Sequence, residues 1–180
     1  MKKLISLVLV MVLVFSFVGC ASKSSGLTIN TLQKTFQASD NSELVFQKTP
    51  TAKGYSFQYA NKNSVTDIAY SGEADSEENV ISFKIVNSNV ETTKLKNASE
   101  LSKILKKSSS SMTMGDLRIG YCCMQVVTLR QAFGATDSEI PVQEIADLFA
   151  GNRSSMSVGN WTIKARIEGT GTVVITATFS

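Results

Sequence analysis

The stretch "NWTIKARIEGTGTVVITATFS", residues 160–180, decides the fold. Trp161, Ile163, Ala165 and Ile167 alternate with Thr162, Lys164, Arg166 and Glu168. After Gly169–Gly171 the alternation resumes, with Val173, Ile175, Ala177 and Phe179 set mostly against threonines. A period of two sends successive side chains to opposite faces of a strand. Two such runs joined by a glycine turn form a hairpin with one buried face. A sheet that is apolar on one face and polar on the other is antiparallel, and its apolar face needs a cover.

Working back along the chain, more strands come into view. "GYSFQYA" (54–60) puts Tyr55, Phe57 and Tyr59 on one face and Ser56 and Gln58 on the other. "ELVFQK" (43–48) opens this strand-rich region, and "SVTDIAYSG" (64–72) and "NVISFKIVN" (79–87) continue it. In the last of these, alternation predicts a shared face for Ile81, Phe83 and Ile85. The polar run "EADSEEN" (73–79) between them reads as a hairpin loop. The cover comes from helical spacing. "LTINTLQKTFQ" (27–37) places Ile29, Leu32 and Phe36 on one stripe. "NASELSKILKK" (97–107) does so with Leu101, Ile104 and Leu105, and Ser99 or Asn97 can cap its start. "DLRIGYCCMQVVTLRQAFG" (116–134) is apolar most of the way round, which predicts a central, buried helix from Asp116 to Gly134. "PVQEIADLFAG" (141–151) carries Val142, Ile145, Ala146 and Phe149 as a stripe, with Pro141 at its first turn and Gly151 suited to a left-handed cap. The order predicts an α+β domain over residues 27–180: an antiparallel sheet, helices packed on one face, and a C-terminal β-hairpin.

The start of the chain has a different character. Lys2 and Lys3 precede "LISLVLVMVLVFSFV" (4–18), which carries no charge. That length suits a signal sequence and is short for a membrane span of roughly 20 residues. It ends in "FVGC" (17–20), and "ASKSSG" (21–26) follows. The basic start, apolar run, Gly19 and Cys20 resemble a bacterial lipoprotein signal with its lipobox, although Phe17 stands where that family usually has Leu. The resemblance implies that residues 1–19 are removed. Cys20 would then receive a diacylglycerol on its sulfur, with or without an amide-linked acyl chain, and residues 20–26 would form the lipidated cysteine and a short tether. It further implies a cell-membrane location on the extracytoplasmic face. One acyl chain holds only marginally, whereas two or three hold stably.

Composition narrows the chemistry. The net charge of +3 falls to about +1 without Lys2 and Lys3, so no strong field draws the domain to nucleic acid. The chain has no histidine. That removes the commonest general base, the usual Ser and Cys activation and the commonest zinc ligand. No phosphate-cradling glycine motif and no spaced-cysteine metal motif occurs. Neither a metal nor a cofactor is expected beyond the lipid on Cys20, and no residue is singled out as catalytic.

Three clusters could carry some chemistry. Adjacent Cys122 and Cys123 could be a redox pair or a ligand, and Arg118 lies one turn before Cys122. Neighbours on a helix point about 100° apart, so two small buried side chains is the better reading. Asp75, Glu77 and Glu78 could offer carboxylate oxygens to calcium, but they lack the order of an EF-hand loop and read better as a solvated turn. Tyr55, Phe57 and Tyr59 could stack on a sugar or peptide, or face the core, and the core is the commoner fate of such a stripe. Ser108–Ser111 reads as a linker. The sequence thus predicts a membrane-anchored extracytoplasmic binding module. Its partner would be an envelope protein, a peptide or a glycan. The alternatives are a histidine-independent envelope enzyme and a structural or protective envelope lipoprotein.

Overall fold

Alternation at period two is met by a single seven-stranded antiparallel sheet in the computed structural model. The structure describes residues 24–40, 44–62, 67–107, 111–136 and 141–180. In chain order the elements are α1 (Ile29–Asp40), β1 (Gln47–Thr51), β2 (Gly54–Lys62), β3 (Asp67–Ala74), β4 (Val80–Ser88), α2 (Thr92–Leu95), α3 (Ala98–Leu105), α4 (Met114–Ala132), α5 (Val142–Ala150), β5 (Met156–Val158), β6 (Trp161–Glu168) and β7 (Thr172–Phe179). The strand order is β1-β2-β3-β4-β7-β6-β5, so two meanders meet where β4 pairs with β7. The α+β class, the one-sided helical layer and the C-terminal hairpin are all as the alternation predicts.

The inner face of the sheet holds an aromatic cluster. Phe57 and Phe83 stack at 5.9 Å, Tyr70 stacks on Phe83 at the same distance, and Phe36 of α1 meets Tyr70 edge-on at 5.3 Å. Gly72 lies between Phe57 and Phe83 in the register. A Cβ there would stand 2.4 Å from Phe57 Cζ and 2.5 Å from the carbonyl oxygen of Ser82, so only glycine lets the two rings meet across β3. The helices complete the core with Leu32, Leu101, Ile104, Ile119, Val126, Leu129, Ile145 and Phe149, all buried. Among these helices, α4 packs against α1, α3 and β7, and α5 packs against α3 and β6.

One amide pair fixes α4 over the sheet. Asn87 of β4 and Gln125 of α4 are both buried and exchange hydrogen bonds of 2.7 and 3.2 Å. The Gln125 amide also donates to the Tyr70 hydroxyl at 3.4 Å. Each buried amide satisfies the other, so the pair specifies the helix position at little net cost.

The helix ends follow their local signals. Asn97 caps α3 by accepting from the backbone N–H groups of Ser99 and Glu100. Thr113 and Asp116 form a capping box, which starts α4 two residues ahead of the predicted Asp116. Gly151 closes α5 with a φ of +80°. Of the predicted linker Ser108–Ser111, residues 108–110 lie outside the described residues.

Two predictions need correcting. Ile81 does not share a face with Phe83 and Ile85. The register slips between Glu73 and Ala74, so that Ala74 pairs with Val80 while Glu73 pairs with Ser82. Ile81 is the unmatched residue of this β-bulge and is exposed, and Val80 takes the inward place. The strand expected from residue 43 begins only at Gln47. Leu44 and Phe46 are buried, but helix side chains hold their backbone. The Phe46 N–H donates to Gln33 Oε1 at 2.8 Å, and Gln37 Nε2 donates to the Leu44 carbonyl at 2.6 Å.

Candidate functional site

The side chains singled out by the sequence lie in separate places. Cys20 lies outside the described residues. Cys122 and Cys123 are free thiols buried under α4. Desolvation pushes the Cys122 thiol up to about 12, and burial also raises Cys123 well above its ordinary value. A thiol so placed is protonated at neutral pH and is a poor nucleophile or ligand.

The acidic run turns out to be a built turn. Asp75 Oδ1 accepts from the backbone N–H of Glu77 at 2.9 Å and of Asn79 at 2.8 Å, and the Asn79 amide donates to Oδ2 at 3.0 Å. Partial burial raises the Asp75 carboxyl, but the hydrogen bonds from Asn79 and Glu77 outweigh it and hold the carboxyl below its ordinary value. Glu78 adopts a φ of +64° and pairs with Lys48 at 2.6 Å. Among the described residues no group of three or more Cys, Asp or Glu could hold a metal ion. Of the aromatic stripe, Phe57 is buried, and Tyr55 and Tyr59 are half-buried against the same core.

What the structure adds is a surface. Every helix described lies on the inner side, so among the described residues nothing covers the outer face of the sheet. Its central row runs Gln47, Gln58, Ser71, Lys84, Thr176 and Lys164 across six strands. The next outward row runs Thr49, Ser56, Glu73, Ser82, Thr178 and Thr162. Polar side chains fill both rows, mostly short ones in the second, and a shallow hollow of about 420 Å³ opens over β1–β4 and β7. Its lining combines hydroxyl and amide side chains, one carboxylate, Glu73, and one ammonium, Lys84, with apolar surface from Phe57, Gly72, Phe83 and Ala177. Such a lining can donate and accept hydrogen bonds along an extended polar ligand. The sequence held this signal as the polar half of each alternation, but that half alone does not distinguish a binding face from a wetted one.

A second polar cluster lies at the start of α4. The Asp116 side chain is 2% exposed and accepts from Lys107 at 2.8 Å, with Lys94 at 3.6 Å. The Lys107 bond and the Thr113 backbone N–H hold its carboxyl well below the usual carboxylate range. Glu91 pairs with Lys94 at 2.9 Å and raises that lysine. These charges tie α2, α3 and α4 together.

Among the described residues no helix is long and apolar enough to cross a membrane. Comparison with protein-family models, with curated proteins and with solved structures finds no match.

Proposed function

We propose that the chain is a membrane-anchored lipoprotein whose domain works outside the cytoplasm as a binding or interaction module. The observation that carries the binding role is the outer face, left uncovered by the described helices, with a lightly charged hollow of about 420 Å³ of mixed polar and apolar lining. Its hydroxyls and amides suit a peptide or a glycan, alone or displayed on an envelope protein. The anchor rests on "FVGC" (17–20) and the apolar run before it. The domain follows closely. The Val80 N–H donates to the Leu27 carbonyl at 2.8 Å, so the fold is pinned from Leu27 onward. Six residues separate that point from Cys20, so the seven steps between them span about 24 Å at most.

A catalytic reading finds little to work with. The hollow offers a single carboxylate, and both described thiols are buried.

Two measurements test the proposal. Labelled palmitate fed to expressing bacteria is expected to enter the wild-type chain and not the Cys20→Ser variant; equal labelling of both would refute the anchor. Cross-linking on membranes is expected to recover a reproducible partner that is lost with Ser71→Arg and Thr176→Arg. No reproducible partner, or one retained by both variants, would refute the binding face.

A further inference from the structure

The chain enters the domain along a second hollow, which shares no lining residue with the one on the outer face. Ser24–Leu27 form one wall, and the end of α4 and the turn between β5 and β6 form the others, around about 400 Å³. The entering wall is held by its own hydrogen bonds. The Gly26 N–H donates to Ser24 Oγ at 3.2 Å, and the Leu27 N–H donates to Ser25 Oγ at 3.3 Å. The floor is aromatic. Phe133 and Trp161 stack with ring centroids 4.1 Å apart, and Phe179 meets Trp161 edge-on at 5.4 Å. Trp161 is buried, while Phe133 and Phe179 are half-buried. Ser24, Ser25, Thr31 and Asn160 add hydroxyl and amide groups, and no ionisable side chain lines the hollow.

We infer that this end of the domain faces the membrane and that the hollow rests in the headgroup layer of the bilayer. The inference rests on the anchored reading above. The place where the chain leaves the domain says what the hollow meets. Ser24, on its wall, stands four residues from Cys20, and four extended steps span about 14 Å at most. A domain of this length is about 40 Å across. A tether so short cannot carry a membrane anchor round to the far side, so the bilayer meets the face beside Ser24. The lining suits that boundary. Aromatic rings flanked by hydroxyl and amide groups match the layer between hydrocarbon and water, which is apolar on one side and wet on the other. A lining without ionisable side chains also gives up no charge hydration on contact, whereas the outer-face hollow would give up that of Glu73 and Lys84. Contact at this end leaves the outer face open to a partner.

The test uses the chain begun at Cys20, coupled through that thiol to phosphatidylcholine vesicles that carry a maleimide lipid; Cys122 and Cys123 are buried. Trp161 is the only tryptophan in the chain, so its emission reports on this hollow alone. In one set of vesicles part of the phosphatidylcholine carries a nitroxide on its headgroup, which quenches tryptophans that lie close to it. Against unlabelled vesicles, the emission is expected to fall roughly twofold. A flexible insert of roughly 20 residues between Lys23 and Ser24 removes the constraint of the short tether. With the insert, quenching is expected to persist, to be lost with Asn160→Glu, which puts a carboxylate in the lining, and to survive Ile81→Glu in the exposed bulge. Unquenched emission with either tether length would overturn the inference. So would quenching that Asn160→Glu retains, or that Ile81→Glu also removes. Because the attachment is chemical, the outcome is independent of whether cells lipidate Cys20, which the palmitate experiment reads separately.

Discussion

Two rows of side chains cross the sheet one residue apart. The inner row is Lys48, Phe57, Gly72, Phe83, Ala177 and Ile163, and the outer row is Gln47, Gln58, Ser71, Lys84, Thr176 and Lys164. The same strands and the same ladder carry both. In the inner row, shape is specified atom by atom, to the point that one position tolerates no Cβ. In the outer row, polar and charged groups meet solvent, and no packing contact dictates their shape. Stability should therefore sit in one row and recognition in the other, with little overlap.

The largest expected effect lies one inner row further along. Ile85→Ala is expected to cost about 4 kcal/mol by leaving a cavity in a fully packed site. Ile81→Ala, four residues away in the bulge, is expected to change stability by under about 0.5 kcal/mol. Urea unfolding of both variants checks this, and similar midpoints would mean that the bulge is misplaced. Gly72→Ala comes next, at about 3 kcal/mol from overpacking against Phe57 and the Ser82 carbonyl, whereas Ser71→Ala is expected to stay within about 0.5 kcal/mol. Equal losses there would erase the contrast between the rows. Gln125→Leu is expected to cost about 2 kcal/mol, because it strands the buried Asn87 amide. Adding Asn87→Leu is expected to restore part of that loss, and a thermodynamic cycle over the two sites reads the coupling.

The most gradual effect is that of pH. Asp116 is held below its ordinary value in the fold, so the unfolded chain takes up its proton first. Its contribution is therefore complete above the unfolded value of ~3.9 and is lost as the pH falls below it. Urea midpoints measured from pH 6 down to pH 3 are expected to drop, and Asp116→Asn is expected to flatten that drop. An unchanged profile in the variant would assign the acid sensitivity to other carboxyls, of which Asp75 is shifted in the same direction.

Much of this was legible in the sequence, because alternation and helical spacing report which face is buried. Trp161, Ile163, Val173, Ile175 and Ala177 are inward as their period predicts, and Ile145, Ala146 and Phe149 form the expected stripe. The failures share one cause. Ile81 turns outward because of a slip against β3, and Leu44–Phe46 leave the ladder because Gln33 and Gln37 take their hydrogen bonds. Both depend on partners distant in the chain, which local periodicity does not encode. The acidic turn was read as loop, and its internal hydrogen bonds to Asp75 explain why it needs no ion. The outer face was visible only as polarity. That it is left uncovered follows only from the placement of the described helices on the other side.

The junction of the two meanders has a consequence for how the molecule is made. Within β1–β4 and within β5–β7 each strand pairs with its neighbour in sequence, but the sheet closes only when Asn87 reaches Val173. Until then each half shows an open side rich in branched residues: Ile85 and Val86 on one, Val173, Val174 and Ile175 on the other. Such open sides pair with any strand offered, including those of another copy. The strands best protected in the finished domain are thus its main aggregation hazard while it folds, and the time taken to join the halves sets how long that hazard lasts.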